Sequence, residues 1–180
     1  MKTILLAVLL SFSVPSFALT LASPDEFSNA KESTWEDLGT AIDNTKDRHI
    51  TIYWSGEGGL VNMAIDFINH IEEAKEKGKR VTFILNGDSY SAHAVVVCYA
   101  SDIKGLDRYF LMFHNEASAS NNKPMATPDS IAEVRDLLSE CVKKGILTEK
   151  DVTRITQVTE VYVKKEGDHY IRKYAYDRRL

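Results

Sequence analysis

Val81-Thr82-Phe83-Ile84-Leu85-Asn86-Gly87-Asp88-Ser89-Tyr90-Ser91-Ala92-His93-Ala94-Val95-Val96-Val97-Cys98-Tyr99-Ala100 is the stretch that decides the fold class. Val81 to Leu85 reads as a buried strand, a short apolar β-branched and aromatic run. Asn86-Gly87-Asp88 carries turn residues. Ser91 to about Ala100 reads as a helix that is apolar nearly all round, and such a helix belongs inside a protein. A buried strand feeding a buried helix is half of a βαβ unit.

Working outward, the same alternation repeats. Ile50-Thr51-Ile52-Tyr53-Trp54 is a strand by composition, and Ser55-Gly56-Glu57-Gly58-Gly59 breaks it. Val61, Ala64, Ile65, Ile68 and Ile71 follow the 3.6-residue period of a helix whose solvated end is Glu72 to Lys77, with Gly78 as its stop. Ser33-Thr34-Trp35-Glu36 matches a capping box and predicts a helix through about Asn44, after a loose lead-in over 19–32. Tyr109 to Phe113 is a third strand, and 117–127 a polar loop. A helix begins at Pro128-Asp129 and is closed by Lys143-Lys144-Gly145; a shorter one spans Leu147 to Ile155. Val161-Tyr162-Val163, a turn at Glu166-Gly167-Asp168, and Tyr170 to Tyr176 form a terminal hairpin. Strand, helix, strand, helix, strand makes an α/β domain with right-handed crossovers.

Composition excludes several classes. With 26 acidic against 22 basic groups the chain carries a formal charge of −4, which argues against a nucleic-acid binder held by phosphate neutralisation. The basic C-terminal residues Arg172, Lys173, Arg178 and Arg179 do not reverse that balance. The two cysteines lack CxxC spacing and the histidines are scattered, so no metal site is expected and no cofactor is called for. Lys2, the apolar stretch Ile4 to Val14, Pro15 and Ser16-Phe17-Ala18 have the pattern of a secretory signal over residues 1–18, cleaved after Ala18. The stretch is too short to span a bilayer as a helix. The expectation is a periplasmic or secreted domain over 19–180 without a membrane span. In an oxidising compartment Cys98 and Cys141 are either one disulfide or two buried thiols.

Three candidate positions fall at the carboxyl ends of predicted strands, where open α/β sheets place their sites. Gly58-Gly59 could aim amides at an anion, or could serve only a turn. Ser91 opens the buried helix beside the Ala92 amide, and is either a nucleophile or a helix cap. His114 ends the third strand. Ser, His and a glycine amide pair at one edge are the parts of acyl-transfer catalysis. Asp88 is read as shaping the turn before Ser91.

Tyr53-Trp54-Ser55-Gly56-Glu57-Gly58-Gly59, Gly87-Asp88-Ser89-Tyr90-Ser91-Ala92-His93-Ala94 and Leu111-Met112-Phe113-His114, in that order and spacing, resemble the proteolytic subunit of the Clp protease. More broadly the chain resembles the ClpP/crotonase superfamily, with its exported periplasmic members, over roughly residues 34–160. The resemblance implies a single ClpP/crotonase-like α/β domain with a helical handle at 128–155, here followed by a C-terminal β-hairpin. It also implies Ser91 as nucleophile, His114 as general base, and Gly58 and Ala92 as oxyanion amides. Glu160 is the candidate orienting acid, with Thr159 the alternative at the same place. Glu57 stands where the family has Pro, and His93 where it prefers Gly. The function expected is an exported serine hydrolase, peptidase-like, acting on a peptide or protein. The alternative is a catalytically inactive domain of the same fold that binds a peptide or protein. An acyl-CoA hydratase or isomerase is disfavoured, because its substrate is cytosolic and the Ser/His pair would be idle. The superfamily commonly forms rings or trimers, which makes a homo-oligomer an expectation too.

Overall fold

A computed structural model describes residues 18–28, 31–115, 127–157 and 159–176. The predicted signal over 1–18 therefore lies almost wholly outside the described residues, as does most of the predicted loop at 117–127. The strands are β1 (Leu19–Ala22), β2 (Glu26–Phe27), β3 (His49–Gly56), β4 (Gly58–Gly59), β5 (Arg80–Tyr90), β6 (Asp102–Lys104), β7 (Leu111–Phe113), β8 (Thr159–Glu166) and β9 (His169–Tyr176). The helices are α1 (Glu32–Asn44), α2 (Val61–Glu76), α3 (Ala92–Val97), α4 (Pro128–Leu137), α5 (Ser139–Lys143) and α6 (Glu149–Thr156). The main sheet runs β1-β3-β5-β7-β8-β9; β6 also pairs with β5, and β2-β4 forms a second, two-stranded sheet. Pairing is parallel from β1 to β7 and antiparallel along β7-β8-β9.

Alternation explains where the core lies. Ile50, Ile52 and Trp54 on β3, and Val81, Phe83 and Leu85 on β5, are buried on one face, while Tyr53 between them is exposed. Helices α2 and α3 pack on β5 over that face, and α1 packs on α2. Of the α2 stripe read from the sequence, Ala64, Ile68 and Ile71 are buried, whereas Val61 and Ile65 are half-buried and line a cavity; Met63, Phe67 and Ala74 complete the buried face. Disulfide Cys98–Cys141 joins the end of α3 to α5, deciding between the two readings of the cysteines.

Several boundaries differ from those read off the residues, for physical reasons. β5 does not stop at Asn86-Gly87-Asp88: Ser89 pairs with Gly56 on one side and Leu111 on the other, so two ladders carry the strand to Tyr90. The two sides of β3–β5 are uneven between Trp54 and Gly56, and the turn residues fall at that irregularity. Helix α1 starts at Glu32 with Lys31 as its cap residue and no side-chain cap bond, so Ser33 is not its cap. The Lys31 amide already bonds the Ser28 carbonyl, turning the chain into helical geometry ahead of Ser33. The segment 19–32 is not a loose lead-in, since β1 adds a parallel strand to β3 and β2 pairs with β4. The helix expected from Pro128 to Lys143 is two helices, divided at Leu138.

Candidate active site

Ser91 is the one described non-glycine residue with positive φ, at φ 55° and ψ −125°. This backbone is unfavourable for a residue with a Cβ, at about 1–3 kcal/mol, and persists only where its surroundings impose it. Here they do: the Ser91 amide donates to the Met112 carbonyl at 2.8 Å, and the Ser91 carbonyl accepts from Val95 at 3.1 Å. The chain thus leaves β5 still bonded to β7 and enters α3 within one residue. Ser91 makes no side-chain cap bond, so its hydroxyl does not serve the helix as an N-cap. Ala92, the first residue of α3, has an amide without an intrahelical acceptor.

His114 follows β7 directly. Its Nδ1 lies 2.6 Å from the carbonyl oxygen of buried Asn115 and donates to it, which leaves the lone pair of the neutral ring on Nε2. Ser91, Ala92 and His114 line one narrow cavity of about 40 Å³, walled by Ala64 and Ile68 of α2, Val95 of α3, and Val134, Leu137 and Leu138 at the handle. No hydrogen bond joins Ser91 Oγ to His114 among the described residues. Glu160 lies on β8 one register step beyond the Phe113–Val161 pair, hence across from His114. Its Oε2 accepts from the Tyr162 hydroxyl at 2.8 Å, and no bond to His114 forms. Among the described residues the group bonded to the imidazole is the Asn115 backbone carbonyl, and Glu160 makes no bond to it. Thr159 begins β8, pairs with Tyr176 and faces a different hollow.

Gly58 lies against the serine: a Cβ built on it would fall 2.5 Å from Ser91 Cβ, and its φ of +104° is one that side chains rarely adopt. Its amide is not directed at Ser91, because it donates to His93 Nδ1 at 3.2 Å. The His93 ring is buried among Phe27, Trp35 and Trp54, with centroids 4.6, 5.6 and 5.0 Å away. Burial pushes its pKa down to about 4, against the opposing effect of the Pro24 carbonyl bonded to Nε2 at 3.0 Å. His93 at this position was visible in the sequence as a departure, but nothing there pointed to the Gly58 amide as its partner. Glu57 is exposed and its charge sits in solvent. Asp88 takes the Phe110 amide at 2.8 Å and the Tyr90 hydroxyl at 3.1 Å, which holds the end of β5 against the approach to β7. Among the described residues no cluster of His, Cys, Asp or Glu could hold a metal, and no helix is long and apolar enough to cross a membrane.

Parallel β3-β5-β7, a serine at the strand-to-helix junction after β5, and a helical arm before the last strands define a ClpP-like α/β fold. Solved structures agree. The ClpP protease catalytic domain from Plasmodium falciparum superposes with a TM-score of 0.58 at 14% identity, covering 85% of this chain and 76% of that one. Two variants of 1510-N, a membrane-bound stomatin-specific protease, superpose with TM-scores of 0.55 and 0.58 at 12% and 11% identity. The first, in complex with a substrate peptide, covers 79% of this chain and 65% of that one; the second covers 81% and 72%. At these identities the likeness is one of fold. No family model and no curated protein matches the chain.

Proposed function

We propose that this protein is an exported serine hydrolase, peptidase-like, in which Ser91 attacks a carbonyl and His114 accepts its proton through Nε2. The observation that carries this reading is the Ser91 backbone: φ 55° on a residue with a Cβ, pinned by β7 and α3, with the hydroxyl unused as a cap and His114 on the same cavity. The Ala92 amide, at the positive end of α3, supplies one oxyanion donor, and Gly58 supplies the second once its amide is turned toward Ser91. Asn115 holds the imidazole in the tautomer the base needs. The apolar cavity suits an apolar side chain next to the scissile bond. A peptide or protein substrate, export by cleavage after Ala18, and self-association belong to the same reading.

The alternative, a peptide-binding domain without catalysis, is favoured by one observation: the Gly58 amide is bonded to His93 instead of facing Ser91. A serine-directed phosphonate probe separates the two. The hydrolase reading expects the folded protein to be labelled, with labelling abolished in Ser91→Ala and reduced at least about 100-fold in His114→Ala. A folded wild type that never labels favours the binding domain.

A further inference from the structure

Gly58 has two neighbours that make opposite demands on it. Its Cα packs against Ser91, where a second oxyanion donor is needed, but its amide points to His93 in the aromatic core. The His93 tautomer follows from its partners. Nε2 faces the Pro24 carbonyl and carries the proton, so Nδ1 is an acceptor and receives the Gly58 N–H. The ring is wedged in place: Phe27, Trp35 and Trp54 surround it, Trp54 Nε1 donates to the His93 carbonyl at 3.0 Å, and Gly56 leaves room for Nε2 that a Cβ there would take. Neither Gly58 nor His93 lines the cavity that holds Ser91, Ala92 and His114.

We propose that His93 is a positioning residue that latches the Glu57–Gly58 peptide, keeping the Gly58 amide out of the Ser91 site until that peptide rotates. The inference rests on the reading of Ser91 as nucleophile. While the latch is closed, a developing oxyanion meets the Ala92 amide alone. Rotation is within reach of Gly58, whose φ of +104° lies where only glycine moves freely. It leaves Nδ1 as a buried acceptor without a donor, and that penalty is what holds the latch shut.

The test uses the full chain with His93→Phe and His93→Asn. Phe keeps a ring in the aromatic box and removes the acceptor; the Asn Oδ1 can still take the Gly58 N–H. Phosphonate labelling of H93F is expected to be about tenfold faster than wild type, part of what one oxyanion donor is worth, with H93N close to wild type. Wild-type protein labelled with ¹⁵N is expected to show a coupling across the hydrogen bond between Gly58 N and His93 Nδ1. A folded H93F that labels no faster than wild type overturns the latch, and so does absence of the coupling, which decides the matter even if H93F fails to fold. If wild type labels while H93F is unchanged, this inference alone falls. If the coupling is present and nothing labels, H93F included, the nucleophile reading falls and takes the latch with it.

Discussion

Cys98 and Cys141 close a loop across a separation of 43 residues, and replacing both by alanine gives a perturbation whose size can be worked out. In the chain-entropy treatment the cross-link removes −2.1 − 1.5R ln n cal/mol/K from the unfolded ensemble, about −13 cal/mol/K here, or about 4 kcal/mol at 25 °C. The native side changes less. The Tyr99 hydroxyl still donates to the Leu137 carbonyl at 3.0 Å, and Lys144 Nζ to the Ala100 carbonyl at 2.5 Å, so α3 and the handle remain tied. The double variant should therefore lose about 4 kcal/mol of stability while its Ser91 cavity keeps its walls. Urea unfolding followed by circular dichroism, extrapolated to water, measures the first part; the m-value should rise, because an uncross-linked chain exposes more surface. Heating should lower Tm by roughly 8–16 °C for a domain of this size. The rate of phosphonate labelling should stay within about threefold of wild type, because the remaining ties hold α3 in place. A stability loss below about 1 kcal/mol at unchanged m would refute the reasoning, since it would mean that the loop costs nothing in the unfolded chain.

Gly58→Ala combines a strained φ with a Cβ 2.5 Å from Ser91 Cβ and 3.0 Å from the Tyr90 carbonyl, so a loss of about 2 kcal/mol or more is expected in chemical denaturation, with phosphonate labelling slowed about 100-fold. His93 gives a pH dependence of known sign. Its pKa is about 4 when folded against an ordinary 6.5, so the unfolded chain takes up the proton first, and stability is full above pH 6.5 and falls as the pH drops from there to 4. The loss is on the order of 3 kcal/mol; unfolding series between pH 7 and 4 should show it, and H93F should flatten the slope. Asp151 is buried, caps α6 through Thr148, accepts from the Tyr174 hydroxyl at 2.9 Å and pairs with Arg172 at 2.8 Å. Asp151→Ala leaves Arg172 its bonds to the Tyr170, Gly145 and Ile146 carbonyls but removes its counter-charge, the α6 cap and the acceptor of the Tyr174 hydroxyl, and should cost about 3 kcal/mol in thermal or urea unfolding, whereas an effect under 1 kcal/mol would show that the hairpin is not anchored there.

The elements most legible in the sequence were those whose burial pattern is local. The α2 period, the β-branched and aromatic run of β3, and the hairpin with its turn at Glu166-Gly167-Asp168 announce themselves through period, composition and turn chemistry, as does the passage into a helix at Ser91. The shorter helix read over Leu147 to Ile155 is α6; its capping box, in which Thr148 and Asp151 exchange bonds three residues apart, came out only in the structure. What escaped depends on partners distant in the chain. β1 and β6 are short edge pieces that exist because β3 and β5 offer them a ladder. The Asn86-Gly87-Asp88 signal lost to the pairing of Ser89 with both Gly56 and Leu111. At the site, Ser91 and His114 were recognisable by type and position. Glu160 was expected to orient the base; its carboxylate accepts from the Tyr162 hydroxyl two residues along β8, a pairing of side chains that the position of Glu160 alone does not reveal.

By itself the sequence determined the class of the domain and singled out Ser91 and His114 as the candidate pair. Hydrophobic period and turn residues are properties of neighbours along the chain, and they survive without coordinates. Only the tertiary structure decided that Ser91 is held at positive φ, that the cysteines are bonded, and that the Gly58 amide belongs to His93. Each of these is a contact between segments about 20 to 40 residues apart in the chain. Their geometry follows from how β3, β5, β7 and α3 pack together, and no local pattern encodes it.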